Sequence, residues 1–263
     1  MIKYIAFIPV RGGSKSIPLK NIKDFCGKPL VYWTVKAAAD CRQIKAVYVS
    51  TDSREIRACV ESFCLPNVHV VERDAETATD SAGTESAMIE FARGNDFVNM
   101  VLIQATSPLL TARDLTAGIN KYSRRGYDSL LSAVRQKRFI WKDTARGAMA
   151  QNYDPNKRPR RQEWEGYFVE NGAFYITSRE RLLKTRCRIS GKIGLYEMPD
   201  YTFYEIDEPS DWVIMEHLKM SRQDVGESSA GTDFRKIRLF ICDVDGVLTD
   251  GGMYYTAEGD YLK

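Results

Sequence analysis

The chain has 263 residues, 44% hydrophobic and 28% charged, an ordinary globular composition with enough apolar material for one full domain and an appendage. A net charge of +3 is too small and too dispersed to argue for nucleic acid or a membrane surface, although local basic clusters suit a small anionic ligand. No apolar run approaches the roughly 18 residues of a membrane span, and six cysteines without CxxC spacing read as buried thiols of a reducing, cytoplasmic compartment rather than zinc ligands or disulfides.

In chain order, short β-rich runs alternate with helical segments. "YIAFIPV" is a continuous apolar strand, and "PLVYWTVKAAAD" is a helix with Pro29 at its start and Leu30, Trp33, Thr34, Ala37 and Ala38 on one face. "AVYVST" is a second strand, "SREIRACVESF" a helix, "NVHVVER" a third strand, "GTESAMIEFARG" a helix, and "FVNMVLIQATSP" a fourth strand. This alternation predicts an α/β fold of the Rossmann-like type, a mostly parallel sheet flanked by helices that binds ligands at the carboxyl ends of its strands. Those ends are Arg11 to Asn21, Ser50 to Asp52, Arg73 to Thr84 and Gln104 to Pro108, all polar and turn-rich.

Between "YDSLLSAV" and "GYFVENGAFYIT" the alternation breaks at a segment rich in Arg, Lys, Pro and Trp. The segment, about residues 135–166, reads as an inserted arm, and Phe139, Ile140, Trp141 and Trp164 call for burial, with a second subunit as one candidate cover. For Trp141 and Trp164, core packing and ligand contact are equally open readings. The amphipathic helix "PSDWVIMEHLKM" follows, and then a polar Gly/Ser stretch, so that the boundaries are a domain over residues 1–222, a linker over 223–236 and a further segment over 237–263.

The first loop, "RGGSKSIPLKN", places Gly12 and Gly13 directly after a strand, where backbone amides can face a ligand, and adds Arg11, Lys15 and Lys20 as charge for a polyphosphate. It has neither GxxxxGK[ST] nor GxGxxG, so the P-loop and the dinucleotide fingerprint are both excluded. A solvated turn whose cations aid solubility is the competing reading, against which Pro18 argues by fixing the path.

The run "IPVRGGSKSIPLKNI" resembles the nucleotide-binding signature of the acylneuraminate cytidylyltransferases, the CMP-sialic acid synthetase family. "VYVSTD", "ERDAETATDSAGT", "LIQATSPLLT", "RRQEWEGYFVENGAFYI" and "YEIDEPSDW" resemble that family in order and spacing, covering nearly all of residues 1–220. The resemblance implies that CTP and a nine-carbon 2-keto sugar acid, of sialic acid or KDN type, give a CMP-sugar and pyrophosphate in a Mg2+-dependent attack on the α-phosphorus. Alternatives are an eight-carbon KDO-type substrate, pseudaminic or legionaminic acid, and a non-catalytic sugar-nucleotide-binding module.

By the same resemblance, Arg11, Lys15 and Lys20 contact the triphosphate, with Arg11, Lys20 and Asp207 catalytic. Asn21, Arg73 and Thr84 hold the cytidine, Gly12, Gly13 and Ser14 admit it, and Asp80 fixes its loop. Gln104, Lys142, Arg161, Asn171 and Tyr175 match sugar-site positions, with Lys142 and Arg161 acting across a homodimer interface. A guanidinium also suits the sugar's carboxylate on chemical grounds. Asp207 and Glu205, two apart on an extended strand, would hold Mg2+ from one face. The family usually has two aspartates there, so Glu205, with its longer arm, would reach through water.

"KIRLFICDVDGVLTDGGMYY" resembles the first motif of the haloacid dehalogenase phosphatases, with Asp243 as the phosphate-accepting nucleophile and Asp245 as the acid and base. The later motifs of that family are absent, and a segment of this size cannot build its own core. It reads as the N-terminal fragment of a phosphatase-type domain.

Overall fold

A computed structural model of the protein describes residues 1–13, 16–79, 82–227, 254–255 and 261–262. Ser14, Lys15, Asp80, Asp243 and Asp245 therefore lie outside the described residues. Seven strands form one sheet: β1 (Ile2–Pro9), β2 (Ala46–Thr51), β3 (Val68–Glu72), β4 (Phe97–Ile103), β5 (Ser129–Gln136), β6 (Tyr167–Ser178) and β7 (Ile193–Met198). Their spatial order is β7-β5-β6-β4-β1-β2-β3. β6 runs antiparallel to both of its neighbours, and every other pairing is parallel. The chain starts at β1, builds outward through β2 and β3, and returns to place β4 on the other side of β1. Such a reversal opens a crevice above the carboxyl ends of β1 and β4.

β1 is apolar on both faces because both are covered. Tyr4, Ala6 and Ile8 pack beneath α1 (Leu30–Asp40), α2 (Arg54–Glu61) and α4 (Ala112–Arg125), whereas Ile5 and Phe7 pack beneath α3 (Thr84–Gly94) and α5 (Arg179–Thr185). Burying a ring such as Phe7 or Phe174 contributes about 2–3 kcal/mol relative to leaving it in water. α4 lies so close to β6 that a Cβ at Gly118 would stand 2.6 Å from the Phe174 ring. α1 buries Val31 and Val35 as well as Leu30, Thr34, Ala37 and Ala38, while Trp33 is half-buried, so its covered face is wider than the predicted stripe.

α6 (Pro209–Glu227) covers a third apolar cluster, in which Trp212 and Met215 meet Ile17, Phe25, Leu30, Leu109 and Ile206. The helix continues past the predicted end at Met220 and into the expected linker. The compact units divide at Ser221 and Arg222; within the second, Tyr254–Tyr255 pairs antiparallel with Tyr261–Leu262. Among the described cysteines only Cys41 is buried; Cys26 and Cys59 are half-buried and Cys64 and Cys187 exposed, which corrects the expectation of uniformly buried thiols. Among the described residues no helix is long and apolar enough to cross a membrane.

Candidate functional site

A cavity of about 390 Å³ occupies the crevice above β1 and β4, lined by Arg11, Gly13, Lys20, Asn21, Thr84, Gln104 and Asp207 among others. The loop after β1 is pinned at both ends of its path. Near its start the Gly12 amide donates to Asp52 Oδ1 at 2.9 Å, and farther along Ile17 is buried in the cluster under α6. Leu19 then adopts a left-handed φ of 51°, and a short 3-10 turn over Lys20–Ile22 follows it. That turn directs Lys20 and Asn21 inward; a non-glycine residue in this conformation persists only where its surroundings over-determine it.

Lys20 Nζ donates to Ile206 O at 2.7 Å and to Asp207 Oδ1 at 3.2 Å, so the ammonium joins the first loop to the segment before α6. Asn21 Nδ2 donates to Arg11 O at 3.2 Å and holds the loop closed on itself. The Arg11 guanidinium donates to Thr79 O at 3.2 Å. Arg73 is buried and is not among the residues that line the cavity, with its guanidinium on Thr77 O and its Nε without a partner. Burial lowers its pKa, and Asp52 and Glu90 work against that shift.

The segment from Tyr204 to Asp207 is extended, yet it is not a strand of the sheet. It is fixed by the Ile206 amide on Thr106 O at 3.0 Å and by Asp211, whose Oδ2 accepts from the Asp207 and Glu208 amides at 3.1 and 2.8 Å. An acidic side chain capping two exposed amides is the expected device at a helix start. Glu205 is half-buried; burial pushes its carboxyl above the ordinary range, Asp207 adds repulsion, and Lys20 and Arg188 pull the other way. Two carboxylates held close enough to repel are a hard-oxygen set that a divalent cation would relieve. No three such ligands converge among the described residues, so an ion here would complete its shell from phosphate and water.

Gln104 stands at the end of β4 with its Nε2 turned to donate to Gly172 O at 2.7 Å and to Glu205 Oε2 at 3.2 Å. Gly172 has a φ of +64° in the irregular stretch of β6, and a Cβ there would collide with both Gln104 and Glu205. Asn171, beside it, is fully buried. Its amide is used by Ser132 Oγ, Thr202 O and Thr202 Oγ1, so the side chain faces the sheet interior and not the cavity. Tyr175 is buried with its hydroxyl donating to Glu170 Oε2 at 2.8 Å, and burial together with that contact raises the phenol's pKa.

The arm does not meet this cavity within one chain. Arg161 lines a separate cleft of about 580 Å³ with Arg135, Lys137, Arg138, Tyr167 and Tyr204, and Lys142 sits on a two-residue ladder outside both linings. Phe139 and Trp164 stack at 4.7 Å, with Tyr153 against Phe139 at 4.3 Å and the Arg158 guanidinium 4.5 Å above it. Trp141 meets Tyr153 edge-on at 5.8 Å, yet Ile140 and Trp141 remain 46% and 48% exposed. Two further residues shape the site: Asp52, which holds the Gly12 amide, and Arg188, which grips Glu85 through Nε and NH2 at 2.5 and 2.9 Å and lies over the Tyr175 ring. The only sequence signal for Asp52 was its place at the end of β2; Arg188 carried none, because its loop has no motif.

A sequence profile of the family described as Cytidylyltransferase matches residues 5–230. The chain is 38% identical to N-acylneuraminate cytidylyltransferase A of Danio rerio and 37% identical to N-acylneuraminate cytidylyltransferase of Oncorhynchus mykiss, in each case over 98% of this chain and 59% of the relative. It is 28% identical to the N-acylneuraminate cytidylyltransferase of Streptococcus agalactiae serotype III over 82% of this chain and 54% of the relative. The chain thus spans less than two thirds of the length of these relatives. Among solved structures, a CMP:2-keto-3-deoxy-manno-octonic acid synthetase complexed with CTP matches with a TM-score of 0.63 at 18% identity, covering 84% of this chain and 99% of the other. A 4-diphosphocytidyl-2C-methyl-D-erythritol synthase from Anaerococcus prevotii matches with a TM-score of 0.61 at 10% identity, covering 83% and 96%. At such identities these two likenesses speak to the fold alone.

Proposed function

This chain belongs to the cytidylyltransferase family, and from that premise we propose that its cavity transfers CMP from CTP to the anomeric hydroxyl of a nine-carbon 2-keto sugar acid of the sialic acid or KDN type. The hydroxyl oxygen bonds to the α-phosphorus, the bond from that phosphorus to the bridging oxygen breaks, pyrophosphate leaves with the electron pair, and the hydroxyl proton passes to solvent. The observation that carries the reading is the meeting of Lys20, Asn21, Gln104 and Asp207 around one cavity where the strand order reverses.

In this reading Gly12 and Gly13 admit the triphosphate, and Arg11 and Lys20, with Lys15 and Ser14 of the same loop, stabilise charge on the departing pyrophosphate. Asn21, Arg73 and Thr84 serve the cytidine end, with Arg73 acting from outside the cavity lining and Asp80 steadying its loop. Gln104 and Tyr175 serve the sugar. Asn171 supports the turn of β6 that brings Gly172 beside Gln104. Asp207 and Glu205 would hold a divalent ion, Mg2+ in this proposal, which would supply positive charge against the phosphates.

The sugar's carboxylate is met by Lys142 and Arg161 from the arm of a second copy in a homodimer. Two features support that reading, the distance of Arg161 from its own chain's cavity lining and the exposed Ile140, Trp141 and Met149 on the same arm. Exposed Cys64 and Cys187 fit a reducing cytoplasm. Residues 237–263, with Asp243 and Asp245, would open a phosphatase-type unit after a domain over residues 1–222 and a linker over 223–236.

The test is to incubate the protein with CTP, Mg2+ and a panel of nine-carbon and eight-carbon 2-keto sugar acids while following pyrophosphate. Release with a nine-carbon acid is expected. Binding of CTP without release for any acid would make the chain a sugar-nucleotide-binding module instead.

A further inference from the structure

Lys219 lies on α6, seven positions beyond Trp212 and four beyond Met215, so that helical periodicity puts it on the same buried face. Its Nζ donates to Pro108 O at 3.1 Å and stands 4.0 Å from the centre of the Trp33 ring. It stands beside the cluster under α6, to which Trp33, Met215 and Leu218 belong, and the one titratable group that acts on it there is the Cys26 thiol. Burial pushes its pKa down to about 8. A methionine or leucine would fill such a place without desolvating an ammonium, so packing alone does not account for a lysine here.

What the lysine adds is one directed hydrogen bond, and its acceptor is informative. Pro108 lies in the second half of a double turn that begins at Gln104 and closes at Leu110, and Gln104, Ala105 and Thr106 of its first half line the cavity. Within the turn the Ser107 amide donates to Gln104 O at 3.3 Å and the Leu110 amide to Ser107 O at 3.1 Å. The adjoining wall is the segment carrying Ile206 and Asp207, which is fixed to the start of the same helix through Asp211. α6 therefore holds both walls, the Asp207 side through its first turn and the Gln104 side through Lys219. The Ile206 amide on Thr106 O joins the two walls directly.

We propose that Lys219 is a positioning residue for the transfer reaction, bracing the Gln104–Pro108 turn from behind so that the two walls of the cavity keep their spacing. The proposal rests on the cavity being the transferase site. It differs from a structural role because the brace sets the separation of reacting groups, and displacements of about 1 Å at such a site cost on the order of 100-fold in rate.

The experiment compares Lys219→Met, which keeps the volume, and Lys219→Arg, which keeps a donor, with the full-length wild type. Lys219→Met is expected to keep its melting temperature within about 4 °C and its CTP affinity within about threefold, while kcat falls at least about tenfold. Lys219→Arg should recover part of that loss. In hydrogen exchange, the Ser107 and Leu110 amides should exchange faster in Lys219→Met while those of α4 stay as in wild type. An unchanged kcat in Lys219→Met, or a loss that follows a fall in melting temperature and is not relieved by arginine, would overturn the proposal. Should the wild type release no pyrophosphate, the reading of the reaction fails. Unchanged exchange at Ser107 and Leu110 would then overturn the brace on its own account, and faster exchange would support it.

Discussion

The loop from Arg11 to Asn21 and the arm between Gln136 and Tyr167 are both rich in arginine and lysine, but their cations stand in different surroundings. In the loop, the backbone is tied to Asp52, Ile17 is buried under α6, and Lys20 is drawn against Asp207, so the charge converges on one cavity shared with Gln104 and Asp207. In the arm, Arg161 and Ile140 border a separate cleft, and Ile140 and Trp141 are about half exposed. Basic composition alone separates neither case. Anchorage does, because a cation serves chemistry in its own chain only where the backbone fixes it opposite other functional groups.

Breaking the loop side should have the largest effect. Lys20→Met is expected to lower turnover on the order of 100- to 1,000-fold while shifting the melting temperature by only a few degrees, since the pair with Asp207 is open to water on the carboxylate side. Steady-state pyrophosphate release and a thermal melt check this together; matched losses of activity and stability would erase the distinction between loop and scaffold. Asp207→Asn should remove most metal-dependent turnover, about 100-fold, and leave CTP affinity without metal within a few-fold. A titration calorimeter, run with and without Mg2+, reads that split.

The boundary between the two walls is probed by Gly172→Ala. With a φ of +64° and no room for a Cβ beside Gln104 and Glu205, it should destabilise the fold by about 1–3 kcal/mol, visible as an earlier midpoint in urea unfolding. The arm comes next. Trp141→Ser should weaken self-association in sedimentation analysis with little effect on the melting of the monomer, and an unchanged oligomeric state would remove the reason for placing a second copy there. Smallest of all, deleting residues 229–263 should leave the transfer rate within about twofold, because the groups that line the cavity come from residues 9–21, 84, 104–106 and 207.

Much of this was legible because strand ends are legible. Apolar runs closed by "RGGSKS", "STD" and "QATSP" mark where a parallel sheet presents its loops, and the charge of Arg11 and Lys20 is legible there, whereas the role expected of Gln104 rests on the family resemblance. Asp207 came from the pairing of acidic residues in "YEIDEPSD", although the segment proved to be an extended connection tied to Thr106 rather than a strand. Asn171 illustrates the limit: nothing local announces that β6 kinks at Gly172, and the kink is what turns Asn171 toward Ser132 and Thr202. α4, α5 and β7 were not singled out in sequence. α5 has seven residues, too few for a stripe to stand out from its charged neighbours, and β7 is paired on one side only and half polar. Lys219 was hidden for a related reason, as a lysine on an amphipathic helix reads as solvent-facing until the loop beneath it is known.

The most direct measurement is a crystal structure of the protein with CTP and Mg2+. The triphosphate is expected in the cavity over β1 and β4, against Arg11 and Lys20, with the ion on Asp207. Nucleotide density in the Arg161 cleft, with the β1 loop unengaged, would contradict this placement.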